Sequence, residues 1–399
     1  MRTVDDRERR ARLAVRHTLH PDHRVPDPVA AARAMTVLHA TEAATVHLAV
    51  RARTAPDAPT TPEDVDRVLY EDRSLVKQLA MRRTLFAMPR DLLPAALGSA
   101  SARVAQTQRG ALVRDVERHG VAPDGEAWVD RARRAVLDRL TGSGPMGTRQ
   151  LREGVPELTG EVLYAPGKSY GGAAPLAPRV LTLLGAEGRV VRGPNAGHWR
   201  LNRPTWVLTQ EWLGGHVEPV RGEEGYAELV RRWLRTFGPG TLEDVQWWLG
   251  STRTAARAAL AAVDAVEVAL DDGSTGWLLP DDLDAVGPVE PWAALLPTLD
   301  PTTMGWKGRD FYLDPRLRPL LFDTNGNAGT TAWWDGWIVG AWVQDDERDV
   351  QVVTAPGVRL PAEARTALDV EAARLTRWLD GVRIANVYSS QLMKRVPLP

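Results

Sequence analysis

Thr241-Leu242-Glu243-Asp244-Val245, entered through Gly238-Pro239-Gly240 and followed by Gly250-Ser251 and the run Thr252 to Val263, decides how this chain is read. A threonine at a helix start accepts hydrogen bonds from free backbone N–H groups, and an acidic residue three positions on accepts one back from the cap. Glycine and proline ahead of it stop the preceding element, and Gly250-Ser251 divides a short helix from a second one. Val266 to Leu270 and Trp277 to Leu279 then flank Asp271-Asp272-Gly273-Ser274-Thr275-Gly276, which reads as a hairpin. Two helices and a hairpin in this order form the winged-helix plan, whose second helix usually meets nucleic acid.

The same opening recurs at Thr61-Pro62-Glu63-Asp64-Val65 and Thr148-Arg149-Gln150-Leu151, so that the three copies lie roughly 90 residues apart. The second copy closes with Arg189-Val190-Val191-Arg192 and His198-Trp199-Arg200-Leu201 around Gly193-Pro194-Asn195-Ala196-Gly197. In the first copy, Glu71 to Leu85 reads as a long helical run carrying Lys77, Arg82 and Arg83. Val121-Ala122-Pro123-Asp124-Gly125 reads as a linker. Leu163 to Pro178, rich in glycine and proline, reads as an irregular loop bearing Lys168. No parallel sheet is expected before residue 280.

From Pro288 the texture changes. Ala332 to Trp342 contains an Asp335-Gly336 hairpin with aromatic and β-branched arms, and Asp349 to Val353 can pair with its second arm. Pro361 to Leu379 is apolar at Ala364, Leu368, Ala372, Leu375 and Leu379, the spacing of an amphipathic helix. The expected fold is therefore α+β: winged-helix units at 1–120, 121–220 and 221–287, then a small β-barrel-like module at 288–399.

Composition narrows the function classes. The chain has 399 residues, 44% hydrophobic and 25% charged, ordinary values for a soluble protein of two to four domains. It has no cysteine, which excludes a disulfide framework and any cysteine-based zinc site and fits a reducing cytoplasm. No apolar run approaches a membrane span. The net charge of −1 gives no nucleic-acid signal by itself, but Ser101 to Arg152 holds ten arginines against six acids. His17, His20 and His23 invite a metal reading, but Pro21 breaks any shared helix face, and no metal or cofactor is expected. No Walker-type loop and no Gly-x-Ser-x-Gly elbow occurs.

Within Asp27 to Arg53, Leu38-His39-Ala40-Thr41-Glu42 forms one polar turn between two apolar-periodic helical segments. Its place gains meaning from a resemblance. Asp72 to Lys77 followed by Ala80-Met81-Arg82-Arg83-Thr84-Leu85, then Leu295 to Trp306 with Arg309, and Asn325-Gly326-Asn327 leading into Trp334 to Gly340, resemble the AlkZ-like and YcaQ-like bacterial DNA glycosylases. The resemblance implies three winged-helix units and a β-barrel around a C-shaped, DNA-sized channel. That family's catalytic motif is Gln-aliphatic-Gln or Gln-aliphatic-Asp. Laying the chain against it through Asp27-Pro28-Val29 and Leu48-Ala49-Val50 puts the two polar positions on His39 and Thr41, with neither glutamine present.

What the resemblance implies is a monofunctional glycosylase that removes N7-alkylated purines from duplex DNA, as repair or as self-resistance to an alkylating natural product. An N7-alkylpurine is already cationic and leaves through an oxocarbenium-like sugar, so the enzyme must chiefly hold a water beneath C1′. His39 can hold that water and accept its proton, and the Thr41 hydroxyl can position it. Lys77, Arg82, Arg83, Arg149, Lys168, Lys307 and Arg309 are the expected phosphate contacts. The expected setting is a cytoplasmic, nucleoid-associated monomer with no membrane partner. The alternatives are a non-catalytic winged-helix regulator or damage sensor and a protein-interaction scaffold.

Overall fold

The computed structural model describes residues 1–55, 60–164 and 172–394. The chain opens with β1 (Thr3–Val4), α1 (Asp6–Arg16), α2 (Pro28–Ala34), β2 (Leu38–His39), α3 (Ala43–Arg51) and α4 (Pro62–Asp66). Then come β3 (Leu75–Leu79), β4 (Leu85–Pro89), α5 (Leu93–Ala96), α6 (Ala102–Arg118) and α7 (Gly125–Leu140). The middle holds β5 (Met146–Gly147), α8 (Thr148–Gly154), β6 (Glu161–Tyr164), β7 (Gly172–Pro175), α9 (Leu176–Ala186), β8 (Val190–Asn195), β9 (Pro204–Leu208) and α10 (Thr209–Leu213). Next are α11 (Gly222–Phe237), β10 (Gly240–Thr241), α12 (Leu242–Leu249), α13 (Arg253–Ala262), β11 (Val266–Leu270) and β12 (Thr275–Leu278). The chain finishes with β13 (Ala293–Leu296), α14 (Arg318–Leu321), β14 (Thr331–Trp334), β15 (Trp337–Gln344), β16 (Val350–Thr354) and α15 (Ala362–Leu379). The architecture is mixed α+β with several small sheets.

The capping chemistry works as the sequence dictates. Thr61 accepts from Asp64 N–H while the Asp64 carboxylate accepts from Thr61 N–H, and Thr241 and Asp244 repeat the box. At the second copy the cap shifts one residue earlier, to Gly147, whose N–H donates to Gln150 Oε1 at 2.8 Å. Thr148 instead takes the first helical position and accepts from Trp206 Nε1 at 3.1 Å. α12 ends on Gly250 in the left-handed region at φ 64, and α13 follows from Thr252. β11 and β12 pair antiparallel where the sequence places them.

Five expectations are corrected. Glu71 to Leu85 is not a helix. It forms β3 and β4, an antiparallel hairpin with β2 added on the β4 side. Leu75 to Gln78 are all buried, so the alternation that marks a half-exposed strand is absent and the apolar spacing passes for helical. β8 pairs not with His198–Leu201 but with β9, in the register Val190↔Leu208 to Asn195↔Pro204. The ends of the 163–178 loop are ordered as the β6–β7 pair and the start of α9. A parallel pairing does occur before residue 280: β1 lies beside β11, Thr3 opposite Ala269. It is two residues long and unlike the crossover-linked ladders of an α/β sheet. Last, the 288–399 module is no closed barrel: among the described residues β13-β14-β15-β16 is an open antiparallel meander, with α15 packed on it. Its β14–β15 turn is Asp335-Gly336, both at positive φ, as a type I′ turn requires.

Among the described residues three larger apolar cores, with a small fourth formed by β1, β11 and β12, organise these pieces. The largest joins α2, α3 and the β2–β4–β3 sheet to α11, α12 and the Trp292–Leu321 region. A second, from Leu112 to Leu208, belongs to α6 to α9 and β9. The third, between α15 and the meander, takes in Ala44 and Leu48 of α3. α3 is thus gripped from both sides, and Arg53 beyond its end makes a fully buried fork with Asp300, Nη1–Oδ2 2.9 Å and Nη2–Oδ1 2.7 Å. Removing one partner of such a pair leaves a bare buried charge, at a cost of about 3–5 kcal/mol.

Candidate functional site

His39 is the end of β2. The register places it opposite Phe86, and Phe86 opposite Gln78, so Gln78, Phe86 and His39 form one cross-strand row. The His39 and Phe86 rings meet edge to face at 4.8 Å. The ring is buried, and its Nδ1 has no hydrogen-bond partner. Burial, reinforced by the Arg82 guanidinium, holds its pKa well below 6.5. The imidazole is therefore neutral at physiological pH and keeps a lone pair on one ring nitrogen. Thr41 lies two residues on, half-buried at a bend, and its carbonyl accepts a long 3.4 Å bond from Asn202 Nδ2 in the β8–β9 connection. Glu42 turns away. Its carboxylate accepts from Val387 N–H (2.7 Å), Tyr388 N–H (3.1 Å) and Thr298 Oγ1 (2.6 Å), so it is a fastening.

Arg82 and Arg83 occupy the β3–β4 turn with φ of 54 and 57, left-handed values that non-glycine residues rarely adopt. Arg82 is half-buried and lies over the Trp247 indole, Cζ 3.9 Å from the ring centroid. Its Nε and Nη2 are buried without partners. The end of α12 fixes this placement, because a Cβ on Gly250 would stand 2.8 Å from the Arg82 nitrogen. Arg309 approaches the same indole at 5.5 Å, covers Phe322 at 4.5 Å, and donates to the carbonyls of Thr303 and Gly326. Burial and the second guanidinium both lower the pKa of Arg82. Trp247 and Arg309 line a cleft of about 690 Å³ together with Lys307, Arg318, Phe322, Asp323 and Lys394.

The structure sets Arg82 within electrostatic reach of His39 and against Trp247, the indole that Arg309 also approaches, and Arg309 and Lys307 share the cleft, with Arg83 exposed in the same turn as Arg82. Lys307 is half-exposed and paired with Glu243 at 2.5 Å. Arg149, on α8, is 92% exposed, pairs with Glu153 and does not join this group. Lys168 lies outside the described residues.

Lys77 is not a surface cation. It occupies the row Lys77–Ala87–Leu38, offset from that of His39, is buried, and donates to the Tyr70 hydroxyl at 2.5 Å. Burial first, then Arg192, lowers its pKa to about 8. Next to it, His47 Nε2 meets Asp66 Oδ1 at 3.0 Å, and its ring lies 4.8 Å from that of Trp199. The sequence pointed to neither this cluster nor the role of Trp247, because only folding brings their members together. Among the described residues no group of three metal-ligating side chains is gathered.

A small β-sheet presenting a neutral histidine beside an uncompensated arginine and a basic cleft suits an enzyme or binder of polyanions. The comparisons give the family. The chain matches the AlkZ-like family, described as DNA glycosylase AlkZ-like, across residues 32–378, and it belongs to that family. Among solved structures it is similar to the Streptomyces sahachiroi DNA glycosylase AlkZ, with a TM-score of 0.73 at 21% identity, covering 94% of this chain and 98% of that one. Comparison with curated proteins gives no match. Among the described residues no helix is long and apolar enough to cross a membrane.

Proposed function

We propose that this chain is a monofunctional DNA glycosylase that hydrolyses the N-glycosidic bond of N7-alkylated purines, bulky natural-product adducts included. The observation that carries the reading is His39: a buried, neutral imidazole with a free Nδ1, on the strand position that the family's motif assigns to catalysis. A base this weak suits holding a water rather than fully deprotonating it. Little more is needed, because the cationic purine departs early and the water meets an oxocarbenium-like C1′. Thr41 helps position the water. The Arg82 charge disfavours a second cation on His39 and so keeps its lone pair free.

Duplex DNA is the partner, bound through three winged-helix units bounded near 1–120, 121–220 and 221–287 and the 288–399 module, which together form a concave channel. The capped helix pairs at Gly147 and Thr241, the single capped helix at Thr61 and the β3–β4, β8–β9 and β11–β12 hairpins support that reading. The phosphate contacts kept from the sequence are Arg82, Arg83, Lys307, Arg309 and the solvent-exposed Arg149. Lys77 drops out because its amine is buried on Tyr70. Action as a monomer in the cytoplasm, in repair or self-resistance, completes the proposal.

The test is release of free base from duplexes carrying N7-methylguanine or bulkier N7 adducts, followed by mass spectrometry. Time-dependent release by the wild type that His39→Ala abolishes is the expected result. Duplex binding with no release from any adduct would sink the enzyme and leave a DNA-binding protein.

A further inference from the structure

Arg82 is half-buried, and the inner part of its guanidinium stands without a counter-charge. Two of its three guanidinium nitrogens have no partner, and among the described residues no carboxylate lies within ion-pair distance of Arg82, Arg83 or Arg309. A buried charge without a counter-charge is costly, and an anion arriving from outside would relieve that cost. The backbone adds to that cost, since Arg82 and Arg83 are consecutive left-handed residues, a conformation that clusters at ligand clamps. The adjoining cleft carries the same sign. Lys307, Arg309, Arg318 and Lys394 line it against one carboxylate, Asp323, which already accepts from Asn325 N–H, Asn327 N–H and the Asn327 side chain.

We propose that Arg82, packed on Trp247 beside the Arg309 charge, holds one backbone phosphodiester of bound DNA. This rests on the DNA-acting reading above and specifies which strand contact lies nearest His39. The guanidinium nitrogens match the two non-bridging oxygens of a phosphodiester. Trp247 and Phe322 supply an apolar wall for the attached sugar. The remaining cations continue the track, as a polyanion requires and a single carboxylate ligand would not. With the phosphate bound, Arg82 gains its counter-charge a short way from His39, so the contact also registers the nucleotide against the motif.

Arg82→Met and the wild type are compared by fluorescence anisotropy on undamaged duplex across a salt series. Affinity should fall tenfold or more, as loss of a charge-assisted hydrogen bond does. The plot of log affinity against log salt should flatten by about 0.9, one phosphate's worth of released counterions. The melting temperature should hold or rise, because an unpaired buried charge has been removed. A methylphosphonate scan locates the contact: neutralising one phosphate should weaken the wild type and leave Arg82→Met indifferent. Unchanged affinity and slope in Arg82→Met overturn the site, as does a flat scan on the wild type, which needs no variant to fold. Excision is scored separately. Its absence, with the Arg82-dependent slope intact, strikes the glycosylase reading and leaves the phosphate site standing.

Discussion

His39 and Lys77 belong to one three-stranded sheet, in neighbouring rows, and both are buried bases whose pKa burial has lowered. They differ in their partners. Lys77 donates to Tyr70, with Asp66 close enough to favour its charge. His39 has a free Nδ1 and a neighbouring cation that is itself unsatisfied. Burial alone therefore does not distinguish a working group from a packed one. What sets His39 apart from Lys77 is a buried ring nitrogen that no protein group answers, a feature that calls for a physical reason.

The comparison breaks first at His39. His39→Ala should lower excision of an N7 adduct by about 10²- to 10⁴-fold with duplex affinity nearly intact, since the loss falls in the transition state. A wild-type rate in that variant would move catalysis elsewhere. Thr41→Ala should cost less than His39→Ala, because a hydroxyl only positions the water; the reverse ranking would reassign the two roles. The pH profile sharpens the contrast. With the folded pKa of His39 far below 6.5, the neutral form persists and excision should stay level from pH 8 to below 6.5. An acid limb centred near 6.5 would mean that His39 is solvated. Gly250→Ala comes next. Its positive φ and the 2.8 Å approach to Arg82 should destabilise the fold by about 1–2 kcal/mol in urea unfolding and weaken duplex binding. Stability loss without weaker binding would uncouple the α12 terminus from Arg82.

The smallest effect belongs to Lys77. Lys77→Met should leave excision within about twofold. The pH dependence of stability supplies its signature. The folded amine releases its proton near 8, whereas an unfolded lysine holds its own to about 10.4. Between those values the unfolded chain binds more protons, so wild-type stability should rise with pH relative to Lys77→Met, by at most about 1.4 kcal/mol per unit. A constant difference across that window would show Lys77 to be solvent-facing.

How much of this was legible follows from which signals are local. The Thr61 and Thr241 boxes, the Asp335-Gly336 turn, the α15 spacing and the β11–β12 hairpin are decided within a few residues, and they fold as read. β3 was missed because a strand buried along nearly its whole length shows no period of two. The β9 register was missed because a glycine-rich turn marks a reversal but not its length. At the site, the resemblance put the motif on His39, while its unpartnered Nδ1 leaves no trace in the sequence. Arg82 looked like any surface arginine, for neither its left-handed backbone nor the Trp247 beneath it leaves a trace in the neighbouring residues. Lys77 was placed on a helical run, and the strand that forms there instead turns its amine inward.

The Glu42 fastening has a consequence for how the protein is made. The ribosome delivers the motif early, but two of the groups that hold Glu42, the backbone amides of Val387 and Tyr388, are synthesised 345 and 346 residues later. Contacts so far apart in sequence close late, after the loop-closure cost has been met by the intervening structure. The turn beside Thr41 therefore waits, through nearly the whole of synthesis, for the amides that clasp it.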